Sequence, residues 1–178
     1  ASGPDGTRSF IVRDSYSNTF QMLERRGRFL NENKVSGGSY GAIIGVSDID
    51  KSLLVYSAIL GYDEIAYDKT GTFPDLAVLP GGNAEIRRVL LRRTLPEAGP
   101  FSRLFGKSEI ELVSVPGKKG RKVLEGRFWG DLGFIHLCFD IRNMDVLKAK
   151  CGETGFPFSV DSKKSHDGNS FDMGEAAG

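Results

Sequence analysis

The chain has 178 residues, 39% of them apolar and 26% charged, and a formal net charge of +1. Such a length and balance suit one globular domain, or one with a piece of another, large enough to bury a real core. It excludes the basic stripe that a nucleic-acid or membrane-surface protein needs, and no apolar run reaches the roughly 18 residues that span a bilayer. The nearest basic clusters, Arg25-Arg26 and Lys118-Lys119, are short and sit in polar, glycine-containing stretches, so they read as solvated loops. The two cysteines, Cys138 and Cys151, fall in an apolar strand-like run and a helix-like run. They read as buried free thiols rather than a disulfide framework, which points to a reducing compartment, the cytoplasm.

In chain order, Phe10 to Arg13 and Thr19 to Leu23 are expected strands around the turn-rich Asp14-Ser15-Tyr16-Ser17-Asn18. Together they make a hairpin. Residues 25–38 read as a short helix or linker ending in Gly37-Gly38. A strand opens at Gly41, and Ser47 or Asp48 can cap the helix that follows. Ile49, Leu53, Tyr56 and Leu60 recur at helical spacing, and Gly61 supplies a left-handed stop. Strands are then expected over Tyr62 to Asp68, Leu76 to Leu79, Ile86 to Arg93 and Ile110 to Val115. Gly81-Gly82-Asn83 reads as a hairpin turn and not a phosphate loop, because no helix follows it. Pro96 to Gly106 reads as a loop with a helical turn, and Lys118 to Gly120 as a turn between modules. A last strand is expected from Phe134 to Ile141, then a helix capped by Asn143 with Met144, Leu147 and Cys151 on one face.

Self-similarity organises these elements. Gly41 to Asp50 reads GAIIGVSDID and His136 to Asp145 reads HLCFDIRNMD, 95 residues apart. Each apolar run ends in a polar turn and a helical pattern, closed by Gly61-Tyr62 in one case and Gly155-Phe156 in the other. A strand, a helix and several strands, repeated, imply paired βαβββ modules in one α+β domain with a curved mixed sheet. The first module spans 39–117, a connector 118–132, and the second module 133–178. The hairpin of residues 1–24 stands before them, joined by the linker 25–38.

Val46-Ser-Asp-Ile-Asp-Lys-Ser-Leu, with Tyr56 and Leu60-Gly61-Tyr62, resembles the first strand and helix of vicinal oxygen chelate modules. That superfamily holds glyoxalases, extradiol dioxygenases and bleomycin-resistance proteins. Ile110-Glu111-Leu112 resembles the fourth strand of such a module, and Gly133 through Ile141 the start of its partner. The resemblance covers residues 39 to 178 and implies a glyoxalase-like sheet with helices on its outer face. It also implies a divalent metal on the concave face, with iron, zinc, nickel and manganese not distinguished. A homodimer or a tandem domain of a longer chain is the implied assembly. Against the family pattern the second module stops short. The hairpin with Gly3-Pro-Asp-Gly6 resembles the end of an upstream module, so a longer natural chain is expected.

Strand alternation tests which residues can reach such a metal. In the strand from Phe134, the residues Ile135, Leu137, Phe139 and Ile141 form the apolar face, leaving His136 on the other. In the strand around Ile110 and Leu112, Glu111 points away from the helix, to the same side as His136. A His and a Glu facing one pocket can ligate a metal, and both positions match those the resemblance implies. Gly41, the counterpart of His136 in the first module, offers no ligand. The bland alternative is a hydrogen-bonded pocket histidine and a Glu111 paired with an arginine. Arg87, Arg88, Arg92 and Arg93 flank an apolar centre. Arg88 is the expected anion-binding member and Trp129 the expected wall of a pocket mouth, against solvated sheet edge and rim packing. His166, in a polar Ser-Lys-Lys-Ser-His-Asp-Gly stretch, reads as a loop histidine.

Besides a structural half of a tandem enzyme whose active site lies in the other domain, two functions follow from the resemblance. One is a metal-dependent enzyme, a lyase, isomerase or dioxygenase acting on a small substrate with vicinal oxygens, with Glu111 available as catalytic base. The other is a metal-free ligand-binding protein of the bleomycin-resistance kind, in which Gly41 has no ligand to supply.

Overall fold

The elements of the chain form two compact units, Ala1–Cys138 and Phe139–Gly178. The computed structural model describes residues 1–24, 37–95, 102, 106–123, 125–128, 130–134 and 136–160. The class is α+β, and among the described residues no helix is long and apolar enough to cross a membrane.

The hairpin expected at the amino end is present: β1 (Ser9–Arg13) pairs antiparallel with β2 (Thr19–Leu23), Phe10 opposite Met22 and Val12 opposite Phe20. Its turn is built by Asp14, whose Oδ1 accepts from the amides of Tyr16 and Asn18 while Oδ2 accepts from the Asn18 side chain. These bonds, the side-chain one first, hold the Asp14 carboxyl below the usual range.

The main sheet has the order β3-β6-β5-β4, with β3 (Gly41–Gly45), β4 (Glu64–Gly71), β5 (Ile86–Arg92) and β6 (Glu109–Ser114). β3 runs parallel to β6, and the other two pairings are antiparallel. Between β3 and β4 comes α1 (Ile49–Leu53), continued by a wider π-helical segment over Leu54–Ile59. Asp48 caps α1 by accepting from the Lys51 amide, and Gly61, at φ +79°, stops the helix in the left-handed region.

Register sorts the side chains into two faces. Val89 pairs with Leu112 and Leu91 with Ile110, and all four are buried, as are Ile49 and Ile59 from the helix. Each such side chain removed from water stabilises the fold by about 1.5–3 kcal/mol, so the core lies between this face and α1. Arg87, on the same face as Val89, reaches Asp50 of α1 at 3.1 Å and Asp68 of β4 at 2.8 Å. The opposite face carries Tyr67, Arg88, Leu90, Arg92, Glu109 and Glu111. The amino-terminal segment lies against that polar face. Lys69 Nζ donates to the Pro4 carbonyl at 2.7 Å, and the Gln21 amide donates to Asp75 at 3.3 Å.

Two expected strands are not strands. Leu76 to Leu79 lies in a run of tight turns, with the amides of Leu76, Leu79 and Gly82 bonded three residues back. Pro74 and Pro80-Gly81 break any ladder there, and the turn aims Asp75 inward, where it is 3% exposed. The described residues between Phe134 and Ile141 have no regular structure. A strand is held by its neighbours, and none of the described residues pairs with these. Phe134 instead meets the edge of the Phe20 ring at 5.5 Å. Cys138 is exposed, against the expectation of a buried thiol, whereas Cys151 is buried. In the second unit, α2 (Met144–Glu153) begins at Asn143 as expected, but Asn143 adopts φ +59° and makes no side-chain cap. Cys151 is buried on its face while Met144 is 47% exposed.

Candidate functional site

Chemistry-bearing side chains converge on the polar face of the sheet at Arg88. Its Nε donates to Glu111 Oε1 at 2.5 Å and its Nη2 to Glu111 Oε2 at 3.1 Å, a two-point fork. Its Nη1 donates to both oxygens of Asp75, at 2.8 and 2.9 Å. The guanidinium also lies 4.8 Å from the centre of the Phe73 ring. Side-chain exposure is 1% for Arg88, 0% for Asp75 and 6% for Glu111. The Tyr67 hydroxyl donates to Glu111 Oε1 at 2.6 Å.

The geometry follows from register. Leu90 stands opposite Glu111 and Arg88 opposite Val113, so Arg88 reaches Glu111 diagonally across β5 and β6. Tyr67 arrives by a bulge. Ile65 pairs with Leu91 and Tyr67 with Leu90, so one extra residue on β4 turns Tyr67 onto the Glu111 face. Without that bulge Ile65 and Tyr67 would share the helix face. Asp75 comes from the turns after β4, and Gln21 of β2 ties it to the hairpin, donating also to Ser9 Oγ at 3.1 Å.

Electrostatics hold two members of the cluster, Arg88 and Tyr67, in their protonated forms. Burial works against the Arg88 cation most strongly, but the hydrogen bonds it donates to Glu111 and Asp75 outweigh it, and its pKa is raised. Burial first, then the Glu111 carboxylate, push the Tyr67 phenol far above its ordinary range. Tyr67 is therefore a fixed O–H donor and Arg88 a fixed cation. Two carboxylates share one guanidinium, and the phenol satisfies a remaining lone pair on Glu111. The cavity beside this cluster measures about 40 Å³, room for little more than a water.

The expected site residues are placed as follows. Glu111 lies on the face that alternation assigned to it, and its polar partners are Arg88 and Tyr67. Arg88 is on that face too, fully enclosed. His136 is exposed, in a stretch without regular structure, while the hydrogen bonds of Glu111 go to Arg88 and Tyr67. Trp129 and His166 lie outside the described residues. Gly41 pairs with Glu109 on the Glu111 side of the sheet. A Cβ built at Gly41 would stand 2.1 Å from the Glu109 carbonyl oxygen. Among the described residues, no group of three or more His, Cys, Asp or Glu is arranged to hold a metal. At Glu111 a divalent metal would have to displace a buried guanidinium from both carboxylate oxygens, so this set does not fit the implied metal. Tyr67 and Asp75 were missed by sequence reasoning. The first needed the bulge, and the second needed the turn.

A second concavity, of about 330 Å³, opens at the end of the sheet between Tyr40, Glu64, Arg92, Arg93, Lys107, Ser108 and Glu109. Arg92 Nε donates to Glu109 at 2.6 Å, and Tyr62 and Ser108 share a hydroxyl hydrogen bond of 2.8 Å. Asp63, at the start of β4, accepts from the Thr94 hydroxyl at 2.5 Å and the Thr94 amide at 2.9 Å, pinning the end of β5 beside it. Those bonds, the hydroxyl one first, hold the Asp63 carboxyl below the usual range. A depressed folded pKa means stability that is present above the unfolded value of 3.8 and is lost as pH falls through the folded one. Asp63→Asn is therefore expected to flatten the acid limb of an unfolding-midpoint profile below about pH 4. An unchanged acid limb in that variant would show that the Thr94 bonds carry none of it.

Matches are absent from all three comparisons with known proteins: no family model, no curated protein and no solved structure corresponds to this chain.

Proposed function

We propose that this chain is a metal-free ligand-binding module of the vicinal oxygen chelate kind, with residues 39–117 as one βαβββ module. Support for the module comes from the order strand, helix and three strands, with the first strand parallel to the last. The observation that carries the metal-free reading is the double hold of Arg88 on Glu111. A carboxylate that neutralises a buried arginine serves the fold. Freeing it for a metal leaves that cation without its counter-charge, at a cost of about 3–5 kcal/mol. Gly41 adds to this, since it offers no donor on the same face. A small-molecule ligand is the partner, and the enzyme reading is the outcome that the experiment can return instead.

The test is metal content of the purified chain after loading separately with zinc, manganese, nickel and ferrous iron, read by mass spectrometry and calorimetry. The expected result is far less than one equivalent for each metal, unchanged in Glu111→Gln. A stoichiometric metal that is lost in both Glu111→Gln and His136→Ala overturns the proposal in favour of the metal enzyme.

A further inference from the structure

The pocket at the end of the sheet is distinct from the Arg88 cluster and, unlike it, is large enough for a ligand. Its volume of about 330 Å³ lies at the lower end of the range for small-molecule sites. Three cationic side chains, Arg92, Arg93 and Lys107, line it against two carboxylates, Glu64 and Glu109. Arg92 is balanced within the wall, donating to Glu109 at 2.6 Å and standing 3.7 Å from Asp5 and 4.0 Å from Glu64. Arg93 spreads its guanidinium 6.0 Å from the centre of the Tyr62 ring. Lys107 is exposed at the rim, and Tyr40 and Ser108 complete the lining.

We infer that this pocket binds a small oxyanion, a carboxylate or a phosphate monoester, carried on a hydroxylated molecule. Lys107 supplies the positive charge at the rim, with Arg93, which also faces the Asp63 carboxylate, behind it, and Ser108 offers a hydroxyl donor where it accepts from Tyr62. Glu64 and Glu109 accept hydrogen bonds from the ligand's hydroxyls and repel a second anionic group. This inference rests on the binding-module reading above and names its ligand class. The walls are set before a ligand arrives. The Asp63–Thr94 bonds fix the β4–β5 end, the Tyr62–Ser108 bond fixes the residue before β6, and the Tyr62 ring supports Arg93. Little ordering cost is then left for binding. Charge-assisted hydrogen bonds to an oxyanion are about twice as strong as neutral ones, so the recognition is chiefly electrostatic.

The test uses the full chain with three probes: inorganic phosphate, glycolate and the neutral ethylene glycol. Calorimetry reads affinity, and amide chemical shifts in nuclear magnetic resonance locate the site. One of the two anions is expected to bind saturably with shifts at Lys107 and Ser108, and which of them does so decides between phosphate and carboxylate. The glycol should not bind. Lys107→Glu, at an exposed position, is expected to weaken binding about tenfold or more. Lys118→Glu, in the exposed turn after β6, should leave it unchanged. Saturation by neither anion below about 10 mM, or equal effects of the two lysine variants, overturns the inference. Failure here with a negative metal test removes the pocket alone. A metal that depends on Glu111 removes the metal-free reading and leaves the anion result standing.

Discussion

Arg88→Ala is expected to destabilise the chain by about 3–5 kcal/mol, because it strands two buried carboxylates at once. Asp75 is 0% and Glu111 6% exposed, and the guanidinium supplies four hydrogen bonds between them. For a unit of this size such a loss lowers the melting temperature by roughly 10–15 °C. Circular dichroism through a urea titration measures it. The effect should come from charge and not only from lost volume. Adding Asp75→Asn and Glu111→Gln to Arg88→Met removes the charges together and is expected to recover a large part of the loss. If Arg88→Ala alone unfolds no earlier than the parent chain, the cluster does not hold the fold. The metal-free reading of Glu111 then loses its main support as well. A local consequence is expected too. Gln21 ties Asp75 to β2, so the hairpin should become sensitive to proteolysis before the sheet does.

The parts of this fold legible in the sequence are those written in local chemistry. Asp48 as cap, Ile49 as first buried contact and Gly61 as left-handed stop need only neighbours along the chain, and each stands where its residue type places it. β6 is legible because its apolar Ile110 and Leu112 alternate with Glu111 and must face the core, which also fixes the side of Glu111, and β5 because its apolar centre, Val89 to Leu91, is buried on both faces. What alternation cannot supply is the partner. Arg88 meets Glu111 only through the β5–β6 register, and Tyr67 reaches Glu111 only because β4 gains a residue between Ile65 and Tyr67. Leu76 to Leu79 misled because its leucines look like a strand. The governing residue is Asp75 beside them, whose value lies in an arginine 13 positions away. The stretch from Phe134 misled in the same manner, since an apolar run specifies a strand only where a neighbouring strand is there to pair with it.

Gly41 bears on both fold and function, and its replacement is the second large effect expected. The internal repeat sets Gly41 opposite His136, which suggests placing a histidine there, as Gly41→His. The backbone forbids it. An added Cβ would stand 2.1 Å from the Glu109 carbonyl oxygen and 3.0 Å from its carbon, and both belong to the main chain of β6. No rotamer change relieves that contact, so β3 and β6 must separate where Glu109 donates to the Tyr40 carbonyl at 3.1 Å. Gly41→Ala is therefore expected to cost about 1–3 kcal/mol or more, as overpacking does, and Gly41→His no less. Gly45→Ala is the internal control, in the same strand and on the same face, with no atom within 4 Å of the added carbon. It should be neutral or slightly stabilising, since alanine restricts the unfolded chain. Urea midpoints of the three variants, with metal content of Gly41→His, decide the matter. A folded Gly41→His that gains a stoichiometric metal would show that glycine stands there in place of a ligand. A Gly41→Ala that unfolds early beside an unaffected Gly45→Ala shows that it stands there because two strands approach too closely for any side chain.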